Sequence, residues 1–414
     1  MIKKFFTLFI LLALSSVISG LKADEYDDSI TFESRTRTFR VYVPSAYESS
    51  RSTPLLFVLH GGGGDAVKTE QLTKSGFNTL SETEKFIVVY PNGIENNWND
   101  GRNITIQPAM KENVNDVGFI SALIDVMSSK YNIDKKRVYS TGISNGAHMS
   151  FRLACELTSR IAAIAPVSGA EITDPTFLYK AAQPIPVLIM NGTDDAFILW
   201  GGGYIAPMFY SGELGSTKSI NDTVNFWVNA NGCNTIPVTT TLPDMDPADG
   251  TTVQKSVYGN GKNGSQVVFY TVNGGGHTWP GGDPNAQTAL AGKTCKDINA
   301  CEEIWKFFKG ITLIGNNIIN SIDNAKGYPN PFNPSAAKDG QFKIINMPVN
   351  SIVSIYNING EIIKVLKETD FGNYGWIAWN GKDESGNTVQ RGIYMYVLTD
   401  GDCNKKTGKI ALVK

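Results

Sequence analysis

Histidine is scarce in this chain: three among 414 residues, at positions 60, 148 and 277. They sit in unlike contexts and no CxxC pair accompanies them, so no cluster has the spacing of a metal site. The glycine run at 61–64 lacks the GK[ST] ending of a phosphate-binding loop, and no other nucleotide motif occurs. Neither metal nor cofactor is implied. An excess of one charge is missing as well. Lys and Arg number 37 against 39 Asp and Glu, a net charge of −2 with no long run of either sign. That balance argues against nucleic acid or an anionic membrane surface as partner and for a neutral or mixed substrate.

Long apolar runs are confined to the N-terminus. Lys3 and Lys4 precede roughly a dozen apolar residues that give way to small and acidic ones, short of the ~20 residues a membrane span needs. Residues 1–23 read as a secretory signal peptide, with cleavage after Ser19, Gly20 or Ala23. The mature chain is expected to be secreted, extracellular or at the cell surface, with no membrane span. Cysteines number five, an odd count that leaves at least one without an intrachain partner. Export makes the rest disulfide candidates, and Cys295 with Cys301, close in sequence, is the preferred pair.

Length suggests two or three domains. Between about residues 24 and 312, RTFRVYVPS, PLLFVLHGG, FIVVYPNG, RVYSTGIS, IAAIAPVSG, PIPVLIMNGTDD and VVFYTVNGGGH read as strands, several continuously apolar and so buried on both faces. DVGFISALIDVMSSKYN, HMSFRLACEL, TKSINDTVNFWVNAN and CEEIWKFFK read as helices. Such alternation predicts an α/β fold with a mostly parallel sheet covered on both sides, whose functional groups gather at the carboxyl ends of strands. Residues 313–327 resemble a linker. From Tyr328 to Lys414 the proline-rich YPNPFNP and a series of short strands without helices predict a small all-β sandwich, with a type I′ turn at Asn359-Gly360.

TGISNGAHMS, residues 141–150, sets Ser144 between Gly142 and Gly146 where a strand should meet a helix. That is the pattern of a nucleophile elbow, in which a sharp turn lifts the hydroxyl above the sheet. A serine hydroxyl needs a base, and three histidines permit elimination. His148 lies one helical turn after Ser144, where capping or packing suits it better. His60, followed by four glycines, is suited to shaping a loop and bordering the substrate. His277, on the loop after the last major strand, is the expected base. The base needs an acid. Asp194 and Asp195 both follow a buried strand, in the chain order Ser, Asp, His. The amide of Asn145 and one from the Gly61–Gly64 loop, Gly62 by preference, would form the oxyanion hole.

LHGGGGDA, YPNGIENNWNDGR, NDVGFISALID, VYSTGISNGAHMSFRLACE, NGTDD, TVNFWVNANGC and GGGHTWPGG, in that order, resemble the secreted polyhydroxybutyrate depolymerase and feruloyl esterase family of α/β-hydrolases over residues 30–310. The resemblance implies Ser144 as nucleophile, His277 as base and, through the pattern G-T-x-D, Asp195 as acid. It also implies that Trp98 and Trp279 border the substrate cleft. Asn191, Ala196 and Leu199-Trp200 depart from the family pattern beside the acid loop, which bears on substrate preference more than on catalysis. The implied activity is hydrolysis of feruloyl, polyhydroxyalkanoate or acetyl esters on plant polysaccharide or polyester. The rival reading is a non-catalytic surface or carbohydrate-binding protein on a hydrolase scaffold. The C-terminal segments YPNPFNP, SIYNINGEIIKVL, WNGKDESGN, GIYMYVL and GKIALVK resemble the immunoglobulin-like sorting tails of the type IX secretion route, which implies a partner in that export machinery.

Overall fold

The structure is a computed structural model that describes residues 23–173, 181, 183–206, 214–286, 289–309, 311, 325–336, 340–345, 347, 351–367, 376–400 and 405–413. The expected signal peptide and most of the expected linker lie outside the described residues. Among the described residues, no helix is long and apolar enough to cross a membrane.

The first strands are β1 (Asp24–Phe32), β2 (Arg35–Val43), β3 (Thr53–Leu59), β4 (Ile87–Pro91), β5 (Ile133–Ile143), β6 (Ala163–Val167) and β7 (Val187–Gly192). A two-stranded ribbon of β8 (Gly203–Tyr204) and β9 (Ser216–Thr217) follows, and then β10 (Val238–Thr241), β11 (Thr252–Tyr258) and β12 (Val267–Asn273). All but the ribbon form one ten-stranded sheet in the order β1-β2-β4-β3-β5-β6-β7-β12-β11-β10. Its centre, from β4 through β12, is parallel, and both edges are antiparallel. This is the α/β-hydrolase arrangement that the sequence led us to expect.

Among the described residues the α-helices are α1 (Ala66–Leu72), α2 (Gly76–Glu84), α3 (Pro108–Lys111), α4 (Asp116–Lys130), α5 (Asn145–Glu156), α6 (Ile220–Asn231) and α7 (Ala300–Phe308). Strand β3 shows why its apolar run is continuous. Leu55, Phe57 and Leu59 enter the core shared with α4, α5 and α6, whereas Leu56 and Val58 enter the one shared with α1, α2 and α7. Alternate side chains therefore serve opposite faces, both covered. Helix starts follow local chemistry: the Asn115 side chain accepts from Gly118 N at 2.9 Å, and Ser219 Oγ accepts from Asp222 N at 3.0 Å. Strands β1, β10 and β11 were not among the elements read from sequence.

The C-terminal region is all-β and antiparallel, with β13 (Lys326–Tyr328), β14 (Phe342–Ile345), β15 (Ile352–Tyr356), β16 (Ile362–Lys367), β17 (Trp376–Trp379), β18 (Gly392–Thr399) and β19 (Lys405–Leu412). They form sheets β13-β14-β17 and β16-β15-β18-β19 around Phe342, Ile355, Trp379, Tyr394 and Leu398. The proline-rich segment is stitched to β19, with Phe332 N donating to Ala411 O and Val413 N to Phe332 O.

Two expectations need correction. The hairpin between β15 and β16 forms, but not through a type I′ turn, which needs positive φ at both central residues. Only Gly360 has it, at 80°. The Asn357 side chain instead organises a longer loop by accepting from the amides of Asn359 and Glu361. Cys295 and Cys301 are buried free thiols, so the expected disulfide between them is not formed. Cys301 is occupied by packing, with Sγ 4.0 Å from Thr73 O and against Gly76, and burial pushes its thiol up to about 12. Cys403 lies outside the described residues.

Candidate active site

Strand β5 ends at Ile143 and α5 begins at Asn145, so Ser144 occupies the whole corner, with φ 57° and ψ −120°. A non-glycine residue rarely adopts such a conformation, and it persists here because the surroundings impose it. Ser144 N donates to Val167 O at 3.0 Å, and Ser144 O accepts from His148 N at 2.9 Å. The two flanking glycines have a steric purpose. A Cβ on Gly146 would lie 2.4 Å from Leu59 O, and one on Gly142 2.7 Å from the same oxygen. Helix α5 can approach β3 this closely only with hydrogen at both positions.

Asp195 and His277 follow the carboxyl ends of β7 and β12, adjacent parallel strands. Their loops bring Asp195 Oδ2 to 2.8 Å from His277 Nδ1, with both side chains buried. The other carboxylate oxygen, Oδ1, accepts from the amides of Phe197 and Ile198, each at 2.8 Å, so the Asp195 side chain is fixed from both sides. A carboxylate only accepts, so Nδ1 carries the imidazole proton and Nε2 keeps its lone pair. Asp194 is exposed and takes only the Thr193 hydroxyl, at 3.0 Å.

The glycine loop reaches the Ser144 corner. A Cβ on Gly61 would meet Ser144 Cβ at 3.5 Å, and one on Gly62 would meet Asn145 Cβ at 3.9 Å. Gly63 N donates to Asn96 O and Gly64 N to Gly61 O, whereas Gly62 N has no backbone acceptor among the described residues. Asn145 opens α5, where an amide lacks a helical acceptor. Its side chain clamps the neighbouring loop, accepting from Trp98 N at 2.8 Å and donating to Asp100 Oδ2 at 2.6 Å. Burial alone would push the Asp100 carboxyl up, but the Arg102 guanidinium bound to it holds it below the ordinary carboxylate range.

Ser144, His277, Gly62 and Asn145 line one solvent-open cleft. Arg102, Gln107 and His148 complete its polar side, and Phe197, Ile198, Ile205, Ala206 and Leu214 its apolar side.

The family described as putative esterase matches residues 31–201. Putative esterase NocK of Nocardia uniformis subsp. tsuyamanensis is 30% identical over 283 residues, which is 67% of this chain and 80% of that protein. The chain belongs to the putative esterase family. Feruloyl esterase B of Piromyces equi is 30% identical over 249 residues, 57% of this chain and 42% of that protein. Poly(3-hydroxyalkanoate) depolymerase C of Paucimonas lemoignei is 29% identical over 289 residues, 64% of this chain and 65% of that protein. The matched stretch thus spans most of the first relative and less than two thirds of the other two. The protein is a carboxylic ester hydrolase.

Not every residue expected at the site of this esterase lines its cleft. His60, Trp98 and Trp279, expected to border the substrate, are buried in the interior and absent from the cleft wall. His60 holds the Gly loop in place: Nδ1 lies 2.7 Å from Gly61 O, Nε2 accepts from Gly93 N at 2.9 Å, and its carbonyl accepts from Trp98 Nε1 at 3.0 Å. Burial holds its ring down to about 4, so it stays neutral. Trp279 packs edge-on against Phe77. Conversely, Arg102 ends the motif YPNGIENNWNDGR without being singled out there, and Gln107 and the esterase's apolar wall lie outside the quoted motifs, so only their convergence in space reveals them.

Proposed function

We propose that this esterase works through Ser144 as nucleophile, His277 as general base and Asp195 as the acid that orients it. The observation that carries the reading is that Ser144 and His277 line one cleft while His277 Nδ1 is held by Asp195. Ser144 Oγ attacks the ester carbonyl as its proton passes to His277 Nε2. The amides of Gly62 and Asn145 stabilise the oxyanion. Collapse expels the alcohol, which takes the proton from His277 and leaves an acyl-enzyme. Water, deprotonated by the same nitrogen, then attacks the acyl carbonyl and frees the acid and Ser144.

Relatives named as feruloyl esterase and poly(3-hydroxyalkanoate) depolymerase support feruloyl and polyhydroxyalkanoate esters as substrates, and acetyl esters of plant polysaccharide complete the proposed range. Residues 1–23 would direct export, 24–312 form the esterase domain, 313–327 the linker and 328–414 an immunoglobulin-like sorting domain read by type IX secretion machinery. The cationic start and apolar run support the first assignment, and the two antiparallel sheets support the last. A hydrolysis screen of methyl ferulate, hydroxybutyrate oligomers and acetylated xylan tests the activity. Turnover of at least one, lost in Ser144→Ala, is expected; turnover retained in that variant removes Ser144 from the mechanism. Deleting residues 328–414 should leave the esterase inside producing cells, and unchanged export would refute the sorting role.

A further inference from the structure

Two residues of the cleft wall carry buried hydrogen-bond acceptors that no donor satisfies among the described residues. His148 sits one turn into α5 from Ser144 and is 1% exposed. Its Nδ1 lies 2.8 Å from Ala170 O, and a carbonyl only accepts, so Nδ1 carries the proton and Nε2 is a bare acceptor. That Nε2 is buried without a partner, and so is Gln107 Oε1; both residues line the cleft beside Ser144. Arg102, the charged donor of the same wall, is already engaged. Arg102 gives Nε and Nη2 to Asp100 and Nη1 to Leu214 O. Burial, with Arg102 acting in the same direction, holds the His148 ring down to about 4, so it remains an acceptor at neutral pH.

A buried acceptor left unpaired is costly, and water fills such a place only until a better donor arrives. His148 and Ser144 line the same cleft, and His148 N donates to Ser144 O at 2.9 Å, so a donor at His148 Nε2 belongs to a group close to the carbonyl at Ser144. We propose that His148 Nε2, with Gln107 Oε1, forms a subsite for a hydroxyl carried next to the reacting ester. The hydroxyl belongs either to a 3-hydroxyacyl group or to the carbon beside the esterified oxygen of a polyol or sugar. The inference rests on Ser144 being the nucleophile and adds a preference that the triad alone does not give.

The test compares kcat/KM within two pairs of esters of similar size. Methyl 3-hydroxybutyrate against methyl butyrate places the hydroxyl on the acyl side, and 2-hydroxyethyl butyrate against propyl butyrate places it on the alcohol side. The protein is expected to favour the hydroxylated member of one pair by about tenfold or more. His148→Asn retains a donor toward Ala170 O but has no acceptor at the Nε2 position, and should bring that ratio close to one. Gln107→Leu should lower it in the same direction. Equal efficiencies within both pairs, or a ratio unmoved in His148→Asn, overturn the subsite while leaving the esterase reading intact. If His148→Asn does not fold, the wild-type ratio and Gln107→Leu decide. No turnover of any of the four esters, with no fluorophosphonate adduct on Ser144, overturns the nucleophile assignment itself.

Discussion

Asp195 Oδ2 stands 2.8 Å from Nδ1 of His277, although 82 residues separate them in the chain. Neighbouring parallel strands, β7 and β12, deliver both loops to the same rim of the sheet. Replacing the carboxylate by an amide keeps the shape but permits the wrong imidazole tautomer. Asp195→Asn is therefore expected to lower kcat for p-nitrophenyl acetate by about 10³–10⁴-fold with KM little changed. Asp194→Asn should stay within about threefold of wild type. Full activity in Asp195→Asn would assign the acid elsewhere.

Gly146 carries the close approach of α5 to β3. A methyl group there would lie 2.4 Å from Leu59 O and 2.6 Å from His60 O, both backbone atoms that cannot swing aside. Gly146→Ala should cost about 1–3 kcal/mol of stability, read as a lower urea midpoint at unchanged m. Gly201→Ala, where a Cβ meets nothing within 4 Å, is the control and should be close to neutral. Equal midpoints for the two variants would contradict the packing argument.

His60 and His148 are buried and neutral, each held down to about 4. An unfolded histidine titrates near ~6.5, so between these values the unfolded chain binds more protons than the folded one, and stability falls as pH falls. Their contribution is complete above pH 6.5 and disappears toward pH 4, about 3 kcal/mol apiece at the acid end. Glu25 and Glu171, whose carboxyls burial pushes up, work against this trend. Urea unfolding from pH 7 to 4.5 should show declining stability, with a slope shallower by about one proton in His148→Asn. Identical slopes in wild type and variant would contradict the burial of a neutral ring.

Much of the fold was legible because the central strands are apolar on both faces, and a run such as PLLFVLHGG has few other homes. Strands β10 and β11 carry little apolar signal, because β10 is exposed throughout and in β11 only Val253 is fully buried. Helices α1 and α2 are short and lack a clear apolar period. Ser144 and His277 could be sought because functional groups collect at strand ends and three histidines leave little choice, whereas Asp195 was separated from Asp194 only by the resemblance. The cleft wall could not be read that way. Arg102, Gln107 and Ile205 meet only through folding, and His60 and Trp98, prominent beside the glycine run, proved to support the loop from within.

The reading as a whole depends on Ser144 being activated where the fold places it. Mass-spectrometric mapping of a fluorophosphonate adduct on the folded protein tests this most directly. The adduct should form on Ser144 at neutral pH and be lost in His277→Ala. A folded protein that takes no label, or takes it on another residue, would contradict the account.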